Sequence, residues 1–428
     1  MSKSIGRYIQ LQGGFAFKSS DFKESGIPLI RISNITENGL NKSEAIFLPA
    51  EYSNELKDFL AEENDTLIAM SGATTGKCCI IKANDLPCLI NQRVGRFKIT
   101  NEKEVDKLFV FHVVNSTEFK NELLKDAFGS AQPNVSPKDI EKVNWDFPSI
   151  NEQSKIAKIL STADAVIEKT KAAIAKYKAI KQGMLQDLFT RGIDLTNNKL
   201  RPRYEDAPEL YKESKLGMIP VAWEVERLED TKVEILDGDR GVNYPKENDL
   251  KDSGYCLFLS ATNVTKNGFK FSTMQFISKE RDELLGTGKL FREDIIVTTR
   301  GTIGNVVYYG NEIPYNHIRI NSGMILLRNN DPKIGNEYLY HFIKEILFEF
   351  HFKDSISGTA QPQLPIKDLK KLFLIYPKPE EQKLIAERIK AINKKLQSEL
   401  TYLQKMQLLK KGLMEDLLSR RKQVKVEN

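Results

Sequence analysis

Two stretches of the chain repeat their seam positions at a 4-3-4-3 spacing. Ile156, Leu160, Ala163, Ile167, Thr170, Ile174, Tyr177, Lys181, Met184 and Leu188 make the first series. Ile385, Ile389, Ile392, Leu396, Glu399, Leu403, Met406, Lys410, Leu413 and Leu417 make the second. A repeat averaging 3.5 residues keeps one stripe of a helix turned toward another helix, so each series predicts a coiled-coil helix of about 37 residues and roughly 55 Å. Ile156, Leu160, Ile167, Ile174 and Leu188 are the expected helix-pairing residues of the first, and Ile385, Ile389, Leu396, Leu403 and Leu417 those of the second. Both series place polar residues at the same two steps, Thr170 with Glu399 and Lys181 with Lys410. A polar layer weakens such a seam but sets its register and orientation.

Elsewhere the apolar runs are short, such as Leu67 to Met70 and Ile295 to Val297, and are punctuated by Gly, Asn and Pro, which reads as strands and turns. A helical pattern returns over 105–128 and 337–352. In the latter, Leu339, Phe342, Ile343, Ile346, Leu347 and Phe350 recur at helical spacing and are expected to pack a core.

The order of these parts reflects an internal duplication at an offset of 229 residues. Ile30 to Thr36 corresponds to Leu259 to Thr265, Asp65 to Asp294, and Ser71-Gly72 to Arg300-Gly301. Gly129 to Val135 corresponds to Gly358 to Leu364, and Glu152-Gln153 to Glu381-Gln382. Twelve of the twenty-nine positions from 129 to 157 are identical under the shift, which chance composition does not produce. The expected organisation is a globule over 1–148, a helix over 149–195, a linker over 196–214, a second globule over 215–376, and a second helix with its tail over 377–428. The fold class is α+β: two similar α/β globules in tandem, each followed by a long helix.

Composition narrows the function. The 428 residues carry a net charge of +6 with 40% hydrophobic residues, as a folded protein does. No run approaches the length of a membrane span and no signal peptide is evident, so a cytoplasmic protein is expected. Cys78, Cys79, Cys88 and Cys256 lack metal-ligand spacing and read as free thiols of a reducing compartment. Gly72 to Cys78 imitates a phosphate loop but is one residue short and ends in Cys where a hydroxyl belongs. His112, His317, His341 and His351 stand apart in sequence, and no methylation, protease or dinucleotide motif is present; no catalytic residue and no metal site is expected. The globules are close to neutral, with 18 basic and 20 acidic side chains in residues 1–150. Any nucleic-acid surface must therefore gather its cations locally.

Gly13 to Ser19, Pro28 to Ile35, Ser71 to Thr74, Ile90 to Val94, Gly129 to Asn134 and Pro148 to Ala157, together with Leu216 to Glu224 at the opening of the second half, form a pattern that resembles the DNA specificity subunit of type I restriction-modification enzymes. The resemblance covers nearly the whole chain. It implies two target-recognition domains reading the two halves of a bipartite double-stranded DNA site. It also implies an antiparallel coiled coil on which two methyltransferase subunits dock, and through them restriction subunits. S-adenosylmethionine would then belong to the partner, leaving this chain without a cofactor. Two departures stand out: the first half lacks the Gly-x-Ile-Pro-x-x-Trp opening, and Ile320 to Met324 differs from Ile90 to Val94. The DNA-binding candidates are Lys18, Arg31, Ser71, Lys77, Arg93, Arg96, Arg240, Lys246, Lys266, Arg300 and Arg319. Arg31, Arg93, Arg300 and Arg319 are favoured for guanine, because one guanidinium reaches O6 and N7 together. The rival expectation is a coiled-coil adaptor or scaffold without sequence-specific DNA binding.

Overall fold

The short apolar runs of the first half become β1 (Ile9–Gly13), β2 (Ile27–Ile30), β3 (Ile46–Leu48), β4 (Thr66–Ala69), β5 (Cys78–Ile80), β6 (Leu89–Ile90) and β7 (Val94–Ile99) in a computed structural model that describes residues 3–36, 39–125, 134–347 and 364–425. The chain divides into two units: unit 1 is residues 1–173 with 399–428, and unit 2 is residues 174–398.

In unit 1, β1-β7-β4-β5 is an antiparallel sheet, and β3-β2-β6 is a second sheet whose β2 and β6 run parallel. Three helices follow, each started by a side chain that accepts an otherwise unpaired N–H. Asp106 accepts from Phe109 at 2.9 Å ahead of α1 (Lys107–Asn115), Ser116 from Phe119 at 3.1 Å ahead of α2 (Thr117–Leu124), and Ser136 from Asp139 at 3.3 Å ahead of α3 (Pro137–Lys142). The long helix α4 (Ile150–Thr190) comes next. Ile9, Leu11 and Ile68 of the sheet, Phe109 and Val113 of α1, and Ile156 and Leu160 of α4 bury into one core with Leu417 and Leu418 from the end of the second long helix.

Unit 2 repeats the plan. β8 (Val233–Asp237), β9 (Cys256–Leu259), β10 (Phe276–Ile277), β11 (Ile295–Thr298), β12 (Val306–Tyr308), β13 (Ile318–Ile320) and β14 (Met324–Asn329) form the sheets β8-β14-β11-β12 and β10-β9-β13. α5 (Lys279–Leu284), α6 (Asn336–Phe342), α7 (Ile366–Lys370) and the second long helix α8 (Pro379–Leu418) complete it. Its core joins Leu185 and Leu188 near the end of α4 to Ile385 and Ile389 near the start of α8. The two long helices therefore pair antiparallel, start against end, within each unit.

Every seam position read from the sequence is buried or half-buried. The polar steps are satisfied unevenly. Thr170 donates to Val166 O of its own helix (2.8 Å), Lys181 pairs with Glu345 from the second globule (2.6 Å), and Lys410 alone of these three reaches across the helix pair, to Asp164 (2.5 Å).

The duplicated Glu-Gln dipeptide hooks each globule to its helix. Gln153 donates to Glu104 O and Pro148 O at 2.9 Å and accepts from Asp106 N at 3.1 Å; Gln382 donates to Lys333 O and Pro377 O at 2.7 Å and accepts from Gly335 N at 2.7 Å. The neighbouring acids differ. Glu152 turns back to Ser149 at the helix start, whereas Glu381 is buried and takes Arg201 through both oxygens (2.5 and 2.7 Å), the Trp223 indole (3.3 Å) and Ile193 N (2.8 Å). Those bonds tie down the stretch expected as a plain linker. Two hairpins overlap its ends, Ile193–Asp194 with Lys199–Leu200 and Tyr211–Ser214 with Gly217–Pro220.

The duplicated Gly-x-Ala-Gln-Pro segments, 129–133 and 358–362, and the 348–352 end of the expected helix lie outside the described residues.

Candidate nucleic-acid interface

Sheet topology selects one edge in each unit. β1 and β4 are both antiparallel to β7, so their C-terminal ends lie beside its N-terminal end. Three loops meet there. Gly14 brings the first so close that a Cβ would stand 2.2 Å from Ile90 O, a contact any other residue would have to relieve. Met70 N donates to Arg93 O (3.0 Å), and Val135 N donates to Met70 O (2.8 Å) beside the Ser71–Asn134 bridge. Arg93 is exposed with no ion pair among the described residues, and Lys18 is exposed in the loop leaving β1. Ser71 Oγ is buried without a hydrogen-bond partner. Arg31 starts the turn that receives the Thr74 hydroxyl at Ile32 O (3.0 Å), and its guanidinium leans on Glu44 O (3.4 Å).

The same edge in unit 2 lies at the ends of β8 and β11 and the start of β14. Thr299 N and Arg300 N both donate to Gly323 O (2.9 and 3.2 Å), and Leu364 N donates to Thr299 O (3.1 Å). Arg300 is exposed, and Arg240 pairs with Asp237 (2.9 Å) and reaches Ser322 O (3.2 Å). Arg240, Thr299, Arg300 and Leu364 line one cleft of about 240 Å³.

The repeats thus place an exposed guanidinium at the same edge from different loops. Arg300 stands where unit 1 has Ser71, and Gly323 stands where unit 1 has Arg93. Lys246 and Lys266 are exposed, the first at the start of the turn Glu247–Asp249 and the second in the turn between Val264–Thr265 and Gly268–Phe269. Lys77 faces elsewhere, into a groove of about 610 Å³ that it shares with Lys82, Lys120, Asp164 and Lys410.

Two expectations are corrected. Arg96 is 5% exposed and held by Asp65 (2.7 Å), Glu62 (3.1 Å) and Leu60 O (2.8 Å). Arg319 is 4% exposed and held by Asp282 (2.5 Å), Asp282 O (2.7 Å), Thr287 O (2.7 Å) and Leu285 O (3.0 Å). Each would have to abandon a buried carboxylate to reach a base, which costs more than a surface contact returns. Asp282 shows the balance: burial pushes its carboxyl up, but Lys289 and Arg319 outweigh this and hold it below the ordinary range. Asp294, the counterpart of Asp65, is held instead by Arg328, through two bonds of 3.0 and 2.7 Å. The base has moved one strand step of two residues while the acid stayed.

The sequence reading also missed a pair. His112 and His341 lie 229 residues apart, so the offset already matched them. Both are buried, His112 with its Nε2 3.0 Å from Ser161 Oγ of α4, and both keep Nδ1 without a hydrogen-bond partner. Burial, helped by Lys410 beside His112 and by Lys344 and Lys181 near His341, lowers each to about 3. The four cysteines are buried free thiols, and burial pushes Cys78 up to about 12. Among the described residues no cluster of His, Cys, Asp or Glu could hold a metal, and no helix is long and apolar enough to cross a membrane.

The family pattern described as the type I restriction modification DNA specificity domain matches residues 2–177 and again 220–408. The chain belongs to this family. The function of such a specificity subunit is sequence-specific recognition of DNA, and the adaptor alternative is not favoured. Among its relatives, the type I restriction enzyme MjaVIII specificity subunit of Methanocaldococcus jannaschii is 24% identical over 97% of this chain and 88% of its own length. The EcoBI specificity subunit of Escherichia coli is 23% identical over 91% and 78%. The crystal structure of a type I S subunit from M. genitalium superposes with a TM-score of 0.60 at 16% identity, covering 98% of this chain and 96% of that one. A structure from work on complex assembly and conformational transition of the type I restriction-modification system superposes at 0.52 with 15% identity, over 98% and 97%. These two likenesses bear on the fold.

Proposed function

We propose that the two units read the two halves of a bipartite duplex site, each through the sheet edge described above. Arg93 and Lys18 serve unit 1, and Arg300, Arg240 and Lys246 serve unit 2. The carrying observation is the pair of exposed guanidinium groups at equivalent edges, on loops hydrogen-bonded to one another through their backbones. An exposed guanidinium is suited to the two acceptors of guanine in the major groove, while the lysines are suited to phosphates. Methyltransferase subunits, and restriction subunits through them, dock on the long helices. Tyr402, Leu408 and Leu409 of α8 support this, being apolar yet 45%, 71% and 51% exposed. The methyl donor S-adenosylmethionine and the chemistry reside on that partner, in the cytoplasm, and this chain contributes selection without catalysis.

Sequencing of methylated bases in DNA exposed to the assembled complex tests the reading. Arg93→Ala is expected to relax one half-site only and Arg300→Ala the other only. Either change altering both halves, or neither, overturns the assignment of edges to half-sites.

A further inference from the structure

Superposing the two repeats at the exit from the first sheet strand exposes an insertion. Gly14 and Gly238 are counterparts, since a Cβ on either would meet a backbone carbonyl at 2.2 Å, Ile90 O in one case and Asn321 O in the other. Lys18 and Lys246 are also counterparts. Each begins a single 3-10 turn whose third residue, Asp21 or Asp249, accepts the lysine N–H (3.2 and 2.9 Å). Between these landmarks unit 1 has residues 15–17 and unit 2 has residues 239–245, four more.

The short version is aromatic, and its Phe15 is 38% exposed. Phe15 packs edge-on against Phe17 (5.0 Å) and Phe59 (5.3 Å). The longer version is pinned on both sides. Asp239 accepts Gly241 N and Gly286 N, each at 2.7 Å, and Arg240 is held by Asp237 and Ser322 O. Asn243 donates to Leu284 O (3.2 Å) and accepts from Arg281 (3.3 Å) at its carbonyl, and Tyr244 packs on Phe258 at 5.7 Å. Val242 lies between these anchors and is 97% exposed. An aliphatic, β-branched side chain is thus presented to water, two residues from Arg240, on a loop anchored at both flanks.

We propose that residues 239–245 are an added reading loop of the second unit and that Val242 contacts the 5-methyl group of a thymine in that unit's half-site. The major groove offers an apolar side chain one apolar partner, the thymine methyl. Arg240, two residues away, lines one cleft with Arg300. The inference rests on the proposed DNA-reading role of this edge and deepens it.

The test uses the full chain copurified with its methyltransferase subunits. Once the second half-site is known from methylated-base sequencing, each of its thymines is replaced in turn by deoxyuridine, which lacks only the methyl group. At one position the replacement is expected to weaken binding by the wild type about fourfold, the scale of one buried methyl group. Val242→Ala is expected to weaken binding to thymine DNA by a similar factor and to bind thymine and uracil duplexes alike. A half-site without thymine, or a Val242→Ala protein that still discriminates as the wild type does, overturns the proposal. Arg300→Ala separates the two levels: if it relaxes the half-site while Val242→Ala changes nothing, the edge reads DNA and the valine does not. If neither has an effect, the reading of the edge itself fails.

Discussion

Arg96 and Arg319 carry the same charge as Arg93 and Arg300 and meet the opposite fate, because a strand residue's neighbours in space decide whether its guanidinium faces a carboxylate or water. Arg319→Ala leaves Asp282 buried with Lys289 as its remaining cation, so it is expected to lower unfolding free energy by about 3–5 kcal/mol in urea titrations. Arg300→Ala is expected to stay within about 0.5 kcal/mol of wild type in the same titrations. Equal losses would mean that Arg300 also belongs to the structure. The difference was illegible in sequence. Arg96 sits in Val94–Ile99, a strand buried on both faces over its first four residues, so alternation gave no outward side to assign. Charge alone cannot tell a clamp from a contact. The insertion carrying Val242 was hidden for a related reason: it breaks the constant offset just where the two units diverge.

At the scale of elements the sequence was far more explicit, because a seam or a hook must recur wherever its geometry recurs. The 4-3-4-3 series marked positions that all proved sheltered, and the Glu-Gln repeat marked the place where each globule grips its helix. Even so, identical letters took different roles, as Glu381 anchors Arg201 and Trp223 while Glu152 merely starts a helix. The histidine pair makes the joint between globule and helix sensitive to acid. Each histidine is neutral when folded, down to about pH 3, but takes up a proton near pH 6.5 when unfolded. Between those values the unfolded chain binds more protons, so stability is full above about pH 6.5 and declines as pH falls toward 3. Unfolding midpoints measured from pH 7 to pH 4 are expected to fall less steeply in His112→Gln than in wild type. Parallel slopes would show that the ring is protonated or solvated in the native state.

At the scale of the molecule, α4 and α8 each pass from one unit to the other, after Ala173 and after Ser398. If the helix pair measures DNA, inserting four residues after both points adds about 6 Å of helix and turns the seam by only about 40°. The spacing between half-sites should then lengthen by one or two base pairs with both half-sites unchanged, as mapped by methylation. Two-residue insertions rotate the seam by about 200° and should abolish assembly. An unchanged spacing in an active four-residue variant would leave the helices as a dock rather than a ruler. The division of the chain also sets a timetable for its birth. Unit 2 is one uninterrupted stretch, but the first globule needs Leu417 and Leu418 to close its core. At about 5–20 residues per second on the ribosome, Ile156 and Leu160 wait on the order of 10–50 s for those leucines to be made. The half of the protein synthesised first is therefore the last to mature, and a released chain truncated after Ser398 should show a protease-resistant second globule beside a digestible first one.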